Sequence, residues 1–364
     1  MSSVASANRV VRPVNADGSP LYPDYMPFYD PLEKVEDLGP FEHVDPGHRA
    51  DSAKPNLLKD ATKIIDMSPY VGTELHGVQI SKLTPEGLDE LALMAAERGC
   101  LVFRDQDFSD IGFEAQKKIV SHFGPLHIHG WAPHPVNGPV EHMIIYDHKD
   151  DLRVRKSWAW KSPIQFHSDQ SPEPQTPGTS FICMLESPSG AGGDTIVSSS
   201  VRAFERLSPL FRKRLEGLWA VHSNWEGAMT EVNNNGQNAV QRRPVLQNDH
   251  PVVIQHPVTK QKALYVNPVY TKRIVGFQQE ESEYLLKFLF DHIVRGQDFQ
   301  CRVRYEPGTV LVWDQRVTTH SQTLDYPAGE RRHAFRLTPI ANRPIPAKVD
   351  EDDERCAKEW QGGL

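Results

Sequence analysis

Hydrophobic positions follow two different periods along the chain, and each period predicts one kind of element. Spacings of three and four residues predict helices at residues 84–99, which open with a Thr84 cap and close at Gly99, and at residues 109–124. The same spacing predicts helices in "SVRAFERLSPLFRKRLEGL" and "QEESEYLLKFLFDHIVRG". Short apolar or alternating runs predict strands in "CLVFRD", "HMIIYD", "TSFICMLE", "GGDTIVSSS", "HPVVIQHP", "KALYVNP", "GTVLVWDQRVTTHS" and "RRHAFRLTPI".

The order of these elements predicts the fold class. Two early helices followed by many short strands with inserted helices are typical of an α+β protein built on a β-sandwich or jelly roll. Residues 1–68 lack either period and predict an irregular N-terminal arm, residues 69–345 form the folded body, and residues 346–364 a solvated tail. The polar stretch "EGAMTEVNNNGQNAVQRR" predicts a loop, and we hypothesise from its polarity that "NNNGQN" is a lid.

Composition narrows the class of protein. The 364 residues are 38% hydrophobic and 24% charged, as in soluble globular proteins. With 40 basic against 48 acidic residues the net charge is -8, which argues against a nucleic-acid partner. No apolar run approaches the roughly 20 residues that span a bilayer, and the first residues lack the apolar core of a signal peptide, so we expect a cytoplasmic protein without a membrane partner. The four cysteines are scattered, which predicts reduced thiols.

The triplet His-x-Asp occurs three times, beginning at His43, His148 and His167. Side chains two residues apart on a strand share a face, so such a triplet offers an imidazole nitrogen and a carboxylate oxygen to one metal ion. A second histidine from a distant strand would complete a facial set of three ligands that leaves three positions on iron(II) open. The pattern alone does not decide which triplet does this.

The surrounding sequence separates the three triplets. His43-Val44-Asp45 lies in the arm, where we expect it at the surface, and His148-Lys149-Asp150 lies in the charged run "YDHKDDLRVRK", which predicts an exposed turn. His167-Ser168-Asp169 is followed 26 residues later by Thr195 in "GGDT". Farther along, the strand "GTVLVWDQRVTTH" ends at His320, and Arg332 follows after 12 more residues.

These motifs, in this order, resemble those of the taurine dioxygenase family of iron(II)/2-oxoglutarate-dependent oxygenases. The resemblance covers roughly residues 69–345 and includes "FRDQ", "FGPLHIH", "FHSD", "GGDT", "TKRIVGF", "WDQRVTTH" and "RRHAFR". It implies a double-stranded β-helix (jelly roll) fold, an Fe(II) ion, 2-oxoglutarate as cosubstrate and O2. In this family 2-oxoglutarate is oxidised to succinate and carbon dioxide while a substrate carbon loses a hydrogen.

The resemblance also implies roles for individual residues. His167, Asp169 and His320 would be the metal ligands and catalytic centre. Arg332, helped by the hydroxyl of Thr195, would bind the distal carboxylate of 2-oxoglutarate, which a planar guanidinium matches with two hydrogen bonds. Its neighbour Arg331 points to the opposite face of a strand, so we expect it in solvent or in an ion pair.

A further set of residues concerns the substrate. By the resemblance, His129, the second histidine of "HIH", and Arg336 would hold a sulfonate group, and Asn267 would line the pocket. The chain departs from the taurine pattern at Ala132, where a tyrosine is expected, and near Pro163, where an asparagine is expected. The predicted substrate is therefore a small anion, foremost a taurine-like alkyl sulfonate converted to an aldehyde and sulfite.

Three alternatives stay open. The same chemistry would also serve a small amino acid or a specialised metabolite, by hydroxylation, desaturation or cyclisation, with Arg336 on a carboxylate. A jelly-roll binding protein would not need all three metal ligands, and a zinc hydrolase would not need Thr195 and Arg332. The family resemblance further leads us to expect a homo-oligomer, either a dimer or a tetramer.

Overall fold

The structure is a computed structural model that describes residues 21–147, 165–327 and 330–348. Within these ranges the α-helices are α1 Pro85–Arg98, α2 Phe113–Val120, α3 Ser200–Glu205, α4 Pro209–Leu215, α5 Trp225–Asn235 and α6 Gln279–Val294. The strands are β1 Pro27–Phe28, β2 Lys63–Asp66, β3 Thr73–His76, β4 Cys100–Phe103, β5 His134–Pro135, β6 Met143–Asp147, β7 Thr179–Glu186, β8 Thr195–Ser199, β9 Trp219–Ser223, β10 Gln247–Pro251, β11 Val253–Gln255, β12 Lys262–Leu264, β13 Thr271–Ile274, β14 Gln300–Val303, β15 Val310–Asp314, β16 Thr318–Gln322 and β17 Arg332–Leu337.

Local capping signals explain where the helices begin and end. Helix α1 has the predicted Thr84 cap, whose hydroxyl accepts a hydrogen bond from the Gly87 amide, and it ends at Gly99 with φ +74°. The single helix predicted over residues 200–218 is instead two, α3 and α4, because Pro209 cannot continue a helix and begins a new one. Helix α2 begins at Phe113, four residues later than predicted.

A seven-stranded sheet in the order β2-β3-β4-β15-β7-β17-β6 forms the centre of the molecule. Its pairings are antiparallel except for β3 with β4. The four central strands are buried on both faces, and their side chains alternate between two core clusters. Leu101, Phe181, Val310 and Phe335 face the cluster that includes helix α1, whereas their neighbours Cys100, Ile182, Leu311 and Ala334 face the other way.

The second face of the large sheet packs against a three-stranded sheet in the order β14-β8-β16. Val197 of β8 and Cys301 of β14 share a core cluster with Val102 of β4 and Ala334 of β17, which shows that the two sheets lie face to face. Side chains two residues from Ala334 along β17 share its face. Arg332 and Arg336 therefore point into the space between the sheets.

These sheets and helices confirm the predicted α+β class. The large sheet also includes β2, whose residues Lys63–Asp66 lie in the segment predicted as an irregular arm, so ordered pairing begins before residue 69. The three cysteines within the described ranges, Cys100, Cys183 and Cys301, are buried and unbridged. None of the helices found in residues 21–147, 165–327 and 330–348 is long and apolar enough to cross a lipid bilayer.

Candidate active site

His167, Asp169 and His320 meet at the edge of the three-stranded sheet. His320 is the central residue of β16, and His167 pairs with it across an isolated antiparallel bridge. The His167 amide donates to the His320 carbonyl at 2.9 Å, and the His320 amide donates back at 2.8 Å. Asp169 follows two residues later, and one donor atom from each of the three side chains lies within 4.8 Å of the others.

The protonation state of these groups suits metal binding. Nδ1 of His167 donates to the Gln165 carbonyl oxygen at 2.6 Å, so the lone pair of its Nε2 is free to bind a cation. Burial, together with the neighbouring His167, lowers the pKa of His320 to about 3, which keeps its imidazole neutral. Burial alone would raise the pKa of Asp169, but the Arg336 guanidinium outweighs it and holds that pKa well below its usual range. The trio thus offers two imidazoles and one carboxylate, the set that non-haem iron(II) uses.

Arg332 lies in the space between the sheets with only 2% of its surface exposed. Its Nε donates to the Gly193 carbonyl at 2.9 Å, and its guanidinium carbon is 5.6 Å from the centre of the Tyr305 ring. Gly193 has φ +69°, and a Cβ there would lie 3.2 Å from Arg332 Cδ, so glycine lets the arginine lie against the chain. Nη1 of Arg332 is buried and has no hydrogen-bond partner within the described ranges. A buried guanidinium with a free donor fits an anionic carboxylate.

Tyr305 contacts both Thr195 and the same arginine. The Thr195 hydroxyl is 2.9 Å from the Tyr305 hydroxyl. Burial raises the pKa of Tyr305 to about 12, so the phenol keeps its proton. If Tyr305 donates to Thr195, the threonine proton is free for a ligand carboxylate. Arg331, by contrast, points to the other face and pairs with Glu186 at 3.1 Å, as predicted.

A cavity of about 720 Å³ opens beside the trio of His167, Asp169 and His320, which could hold a metal ion. Its lining includes His129, His167, Asp169, Arg332 and Arg336. Nδ1 of His129 accepts hydrogen bonds from the amides of Trp131 (3.2 Å) and Ala132 (3.0 Å), which places the ring proton on Nε2. Burial, reinforced by the charge of Arg336, lowers the pKa of His129 well below its usual value, so His129 is a neutral donor.

Arg336 links this cavity to the metal trio. Its Nη1 donates to Asp169 Oδ1 at 2.6 Å and its Nη2 lies 2.9 Å from the Met143 sulfur, while its Nε is buried without a partner in the described ranges. A cation and a neutral donor therefore face one cavity, an arrangement that fits an anionic group.

Comparisons with known proteins place these features in a family. Residues 63–338 match the model of the "Taurine catabolism dioxygenase TauD, TfdA family". The chain belongs to this family. It is 72% identical over 353 residues (97% of this chain, 95% of the relative) to an alpha-ketoglutarate-dependent dioxygenase of Penicillium expansum. It is 38% identical to an alpha-ketoglutarate-dependent sulfonate dioxygenase of Saccharomyces cerevisiae, covering 89% of this chain and 79% of that one.

A solved structure agrees with the family. The crystal structure of a taurine dioxygenase from Burkholderia xenovorans superposes with a TM-score of 0.62 at 27% identity and covers 79% of this chain and 93% of that one. The predicted family and enzyme class are confirmed: the chain is a dioxygenase that depends on Fe(II), 2-oxoglutarate (alpha-ketoglutarate) and O2.

Asn267 lies behind the wall of the cavity. It is 1% exposed and does not line the cavity beside His167 and Asp169. Its Oδ1 accepts from the Tyr270 amide at 2.8 Å, and its Nδ2 donates to the Ser171 hydroxyl at 3.3 Å. Because both ends of the carboxamide are used to hold a turn, Asn267 supports the wall, and Tyr270 on the same turn lines it. The role of Asn267 as a substrate contact stays a prediction.

The other two triplets had different outcomes. Asp45 was predicted at the surface, but it is 4% exposed and its Oδ2 accepts from Arg316 Nη1 at 2.6 Å. The prediction failed because the partner, 271 residues away, gives no local signal. The triplet His148-Lys149-Asp150 and Pro163 lie outside the described residues.

The predicted loop at residues 226–243 is largely helix. Helix α5 occupies Trp225–Asn235, and a short 3-10 turn follows at Gly236–Asn238. Glu226, Gly227, Thr230 and Asn234 of this helix line the cavity, and the lid at "NNNGQN" stays a hypothesis. A Cβ at Gly227 would lie 3.0 Å from the Trp131 ring, which shows how closely α5 approaches the His129 loop.

Two residues that contact the site were not predicted from the sequence. Tyr305 bonds to Thr195, and Gln315 bonds to Asp169 with both ends of its side chain. Gln315 belongs to the motif "WDQRVTTH", so the sequence alone could have indicated it as a site residue. Tyr305 follows strand β14 without any motif, and only the packing of the two sheets brings it to Thr195.

Proposed function

We propose that this dioxygenase oxidises a small organic anion, foremost an alkyl sulfonate, at a centre formed by His167, Asp169 and His320. The observation that carries the substrate class is the pair His129 and Arg336, which turns one neutral N–H donor and one guanidinium toward the cavity beside the trio. The relative from Saccharomyces cerevisiae, whose name specifies a sulfonate, supports the same class.

Each side chain has a distinct task in this proposal. His167, Asp169 and His320 would hold iron(II), which when bound supplies the activation of O2. Arg332 would bind the distal carboxylate of 2-oxoglutarate through its free Nη1, and the Thr195 hydroxyl would donate to the same group. His129 would donate from Nε2 to the substrate anion, and Arg336 would balance its charge. The low exposure of Arg332 and Asp169 excludes water from these contacts.

The overall reaction balances with these reactants. One O2 oxidises one 2-oxoglutarate to succinate and carbon dioxide and leaves one oxygen atom as a hydroxyl on the substrate carbon that bears sulfur. The carbon–sulfur bond of that hydroxysulfonate then breaks, and the electron pair leaves with sulfite while the hydroxyl becomes the carbonyl of an aldehyde.

The proposal also includes the double-stranded β-helix fold that the family resemblance implies. The central sheet and the three-stranded sheet face each other around the trio, and we propose that they are the two walls of a double-stranded β-helix. A cytoplasmic location and a homo-oligomeric assembly stay predictions.

A second candidate substrate is a bulkier metabolite. A cavity of about 720 Å³ lies within the range that accommodates drug-sized molecules, and it is larger than a small sulfonate beside 2-oxoglutarate requires. Ala132, where the taurine pattern has a tyrosine, leaves room on the same wall. In this case Arg336 would bind a carboxylate, and the product would be a hydroxylated, desaturated or cyclised metabolite.

Succinate release tests the proposal. The purified protein with Fe(II), 2-oxoglutarate and O2 is offered a panel of alkyl sulfonates, sulfate esters and amino acids of matched size. We expect sulfonates to stimulate succinate release and to yield sulfite in equal amount. Stimulation by amino acids or larger carboxylates without sulfite would reject the sulfonate in favour of the second candidate. A variant with Asp169→Ala serves as the control and should release no succinate.

A further inference from the structure

Gln315 contacts the predicted metal ligand Asp169 at two points. Its Oε1 accepts a hydrogen bond from the Asp169 backbone amide at 2.9 Å, and its Nε2 donates to Asp169 Oδ2 at 2.6 Å. Nε2 also donates to the Ser180 hydroxyl at 3.2 Å. Gln315 is 1% exposed, so water does not compete for these bonds. A single side chain thus fixes both the backbone and the carboxylate of Asp169.

The orientation of this carboxamide is fixed by its partners. A backbone amide only donates, so the atom that faces the Asp169 N–H must be the oxygen of Gln315. The NH2 group is then directed at the carboxylate and at Ser180. Asp169 is buried, so its carboxylate oxygen depends on this amide donor rather than on water for a hydrogen bond.

The turn that carries Gln315 is held rigidly. Gln315 lies between β15 and β16, and its amide donates to the Gly178 carbonyl at 3.1 Å. Its neighbours Asp314 and Arg316 form a buried ion pair at 2.5 Å, and Arg316 also pairs with Asp45. The same turn leads directly into His320 on β16. Gln315 therefore couples the position of Asp169 to the strand that carries a second ligand.

We propose that Gln315 is a positioning residue for the metal: it holds Asp169 in the orientation in which its carboxylate binds the ion together with His167 and His320. This inference rests on the proposed function, since it takes the trio to be the metal site. Partners that orient a ligand in this way typically contribute about 10- to 100-fold in metal affinity. A glutamine that only filled space in the core would contribute to stability but not to metal affinity.

Calorimetric titration with Mn(II) distinguishes a positioning role from a purely structural one without relying on turnover. Mn(II) is an oxygen-stable probe for a site that binds a divalent metal ion. Gln315→Met keeps the volume and removes both hydrogen bonds to Asp169 as well as the one to Ser180, and we expect it to weaken Mn(II) binding by about 10- to 100-fold. Gln116→Met is the matched control. Gln116 is also fully buried and bonds Tyr25 and the Phe108 carbonyl, far from the trio in sequence. We expect this control to lose thermal stability while its Mn(II) affinity stays within twofold of wild type.

Two further variants separate a failure of the positioning role from a failure of the metal site itself. Should Gln315→Met not fold, Gln315→Ala, which adds no bulk, carries the same expectation. His320→Ala should abolish Mn(II) binding. Unchanged affinity in the Gln315 variant together with loss in His320→Ala overturns the positioning role and leaves the metal site standing. Unchanged affinity in His320→Ala rejects the metal site itself, and the positioning role with it.

Discussion

At the scale of single residues, Tyr305 supports the hydroxyl of Thr195. Its phenol is protonated and lies 2.9 Å from the Thr195 hydroxyl, so it can donate and leave the threonine proton for the cosubstrate carboxylate. The ring also lies beside the Arg332 guanidinium. The two proposed cosubstrate contacts therefore share one support, which no sequence motif marks.

Tyr305→Phe tests this support. The variant keeps the ring beside Arg332 and loses only the hydroxyl, so we expect KM for 2-oxoglutarate to rise about fivefold, the equivalent of one hydrogen bond of about 1 kcal/mol. Steady-state kinetics provide the measurement. In a Thr195→Val background the same change should add little, because the two hydroxyls act as one unit. Fully additive effects of the two substitutions would contradict the coupling.

At the scale of elements, the N-terminal arm supports the active site although it precedes the region matched to the family. Asp45 pairs with Arg316, and Arg316 pairs with Asp314, with all three side chains buried. His256 lies 3.1 Å from Asp314 and completes the cluster. This cluster fixes the turn between β15 and β16. The turn contains Gln315 and leads into the strand that carries His320.

Asp45→Asn tests the contribution of the arm. The substitution replaces a charged acceptor of buried Arg316 with a neutral one, while Asp314 still balances the guanidinium. We therefore expect the free energy of unfolding to fall by about 1.5 kcal/mol, as for the loss of one hydrogen bond to a charged group. Urea denaturation measures this change. Glu42→Gln, an exposed arm position, is the control and should stay within about 0.5 kcal/mol of wild type. Equal stability of the two variants would show that the arm does not hold the turn.

Elements with strong local signals were predictable from sequence. Helix α1 carries a capping threonine, an N-terminal proline and a closing glycine, and the strands around His167, Thr195 and His320 carry family motifs. Helix α5 was not, because its polar residues lack an apolar stripe and it is positioned by contact with the Trp131 loop. The long-range pairs of Asp45 and Tyr305 were equally invisible, since each joins segments that are more than 100 residues apart.

At the scale of the whole molecule, buried neutral histidines set the response to acid. Burial and the charge of Lys117 lower the pKa of His142 to about 3, and burial lowers that of His250 to about 4. An unfolded chain binds these protons near pH 6.5, so between pH 6.5 and about 4 the unfolded state holds more protons than the folded state. The free energy of unfolding must therefore fall as the pH drops through this window.

Urea denaturation at a series of pH values measures this slope. Each such histidine contributes up to about 1.4 kcal/mol per pH unit. His142→Gln removes one titrating group, so we expect a shallower slope below pH 6.5 in the variant than in the wild-type protein. Parallel slopes for the two proteins would contradict the assignment of His142 as a neutral buried group.

If buried groups between the two sheets form a site for iron and 2-oxoglutarate, two neighbouring arginine variants should differ sharply in their KM for 2-oxoglutarate. Arg332→Gln removes the guanidinium whose Nη1 is free, and we expect KM to rise about 100-fold, as for the loss of one partner in a buried charge pair. Arg331→Gln removes the same charge one residue away, where it pairs with Glu186, and should leave KM within twofold. Equal KM values in the two variants would show that Arg332 does not bind 2-oxoglutarate.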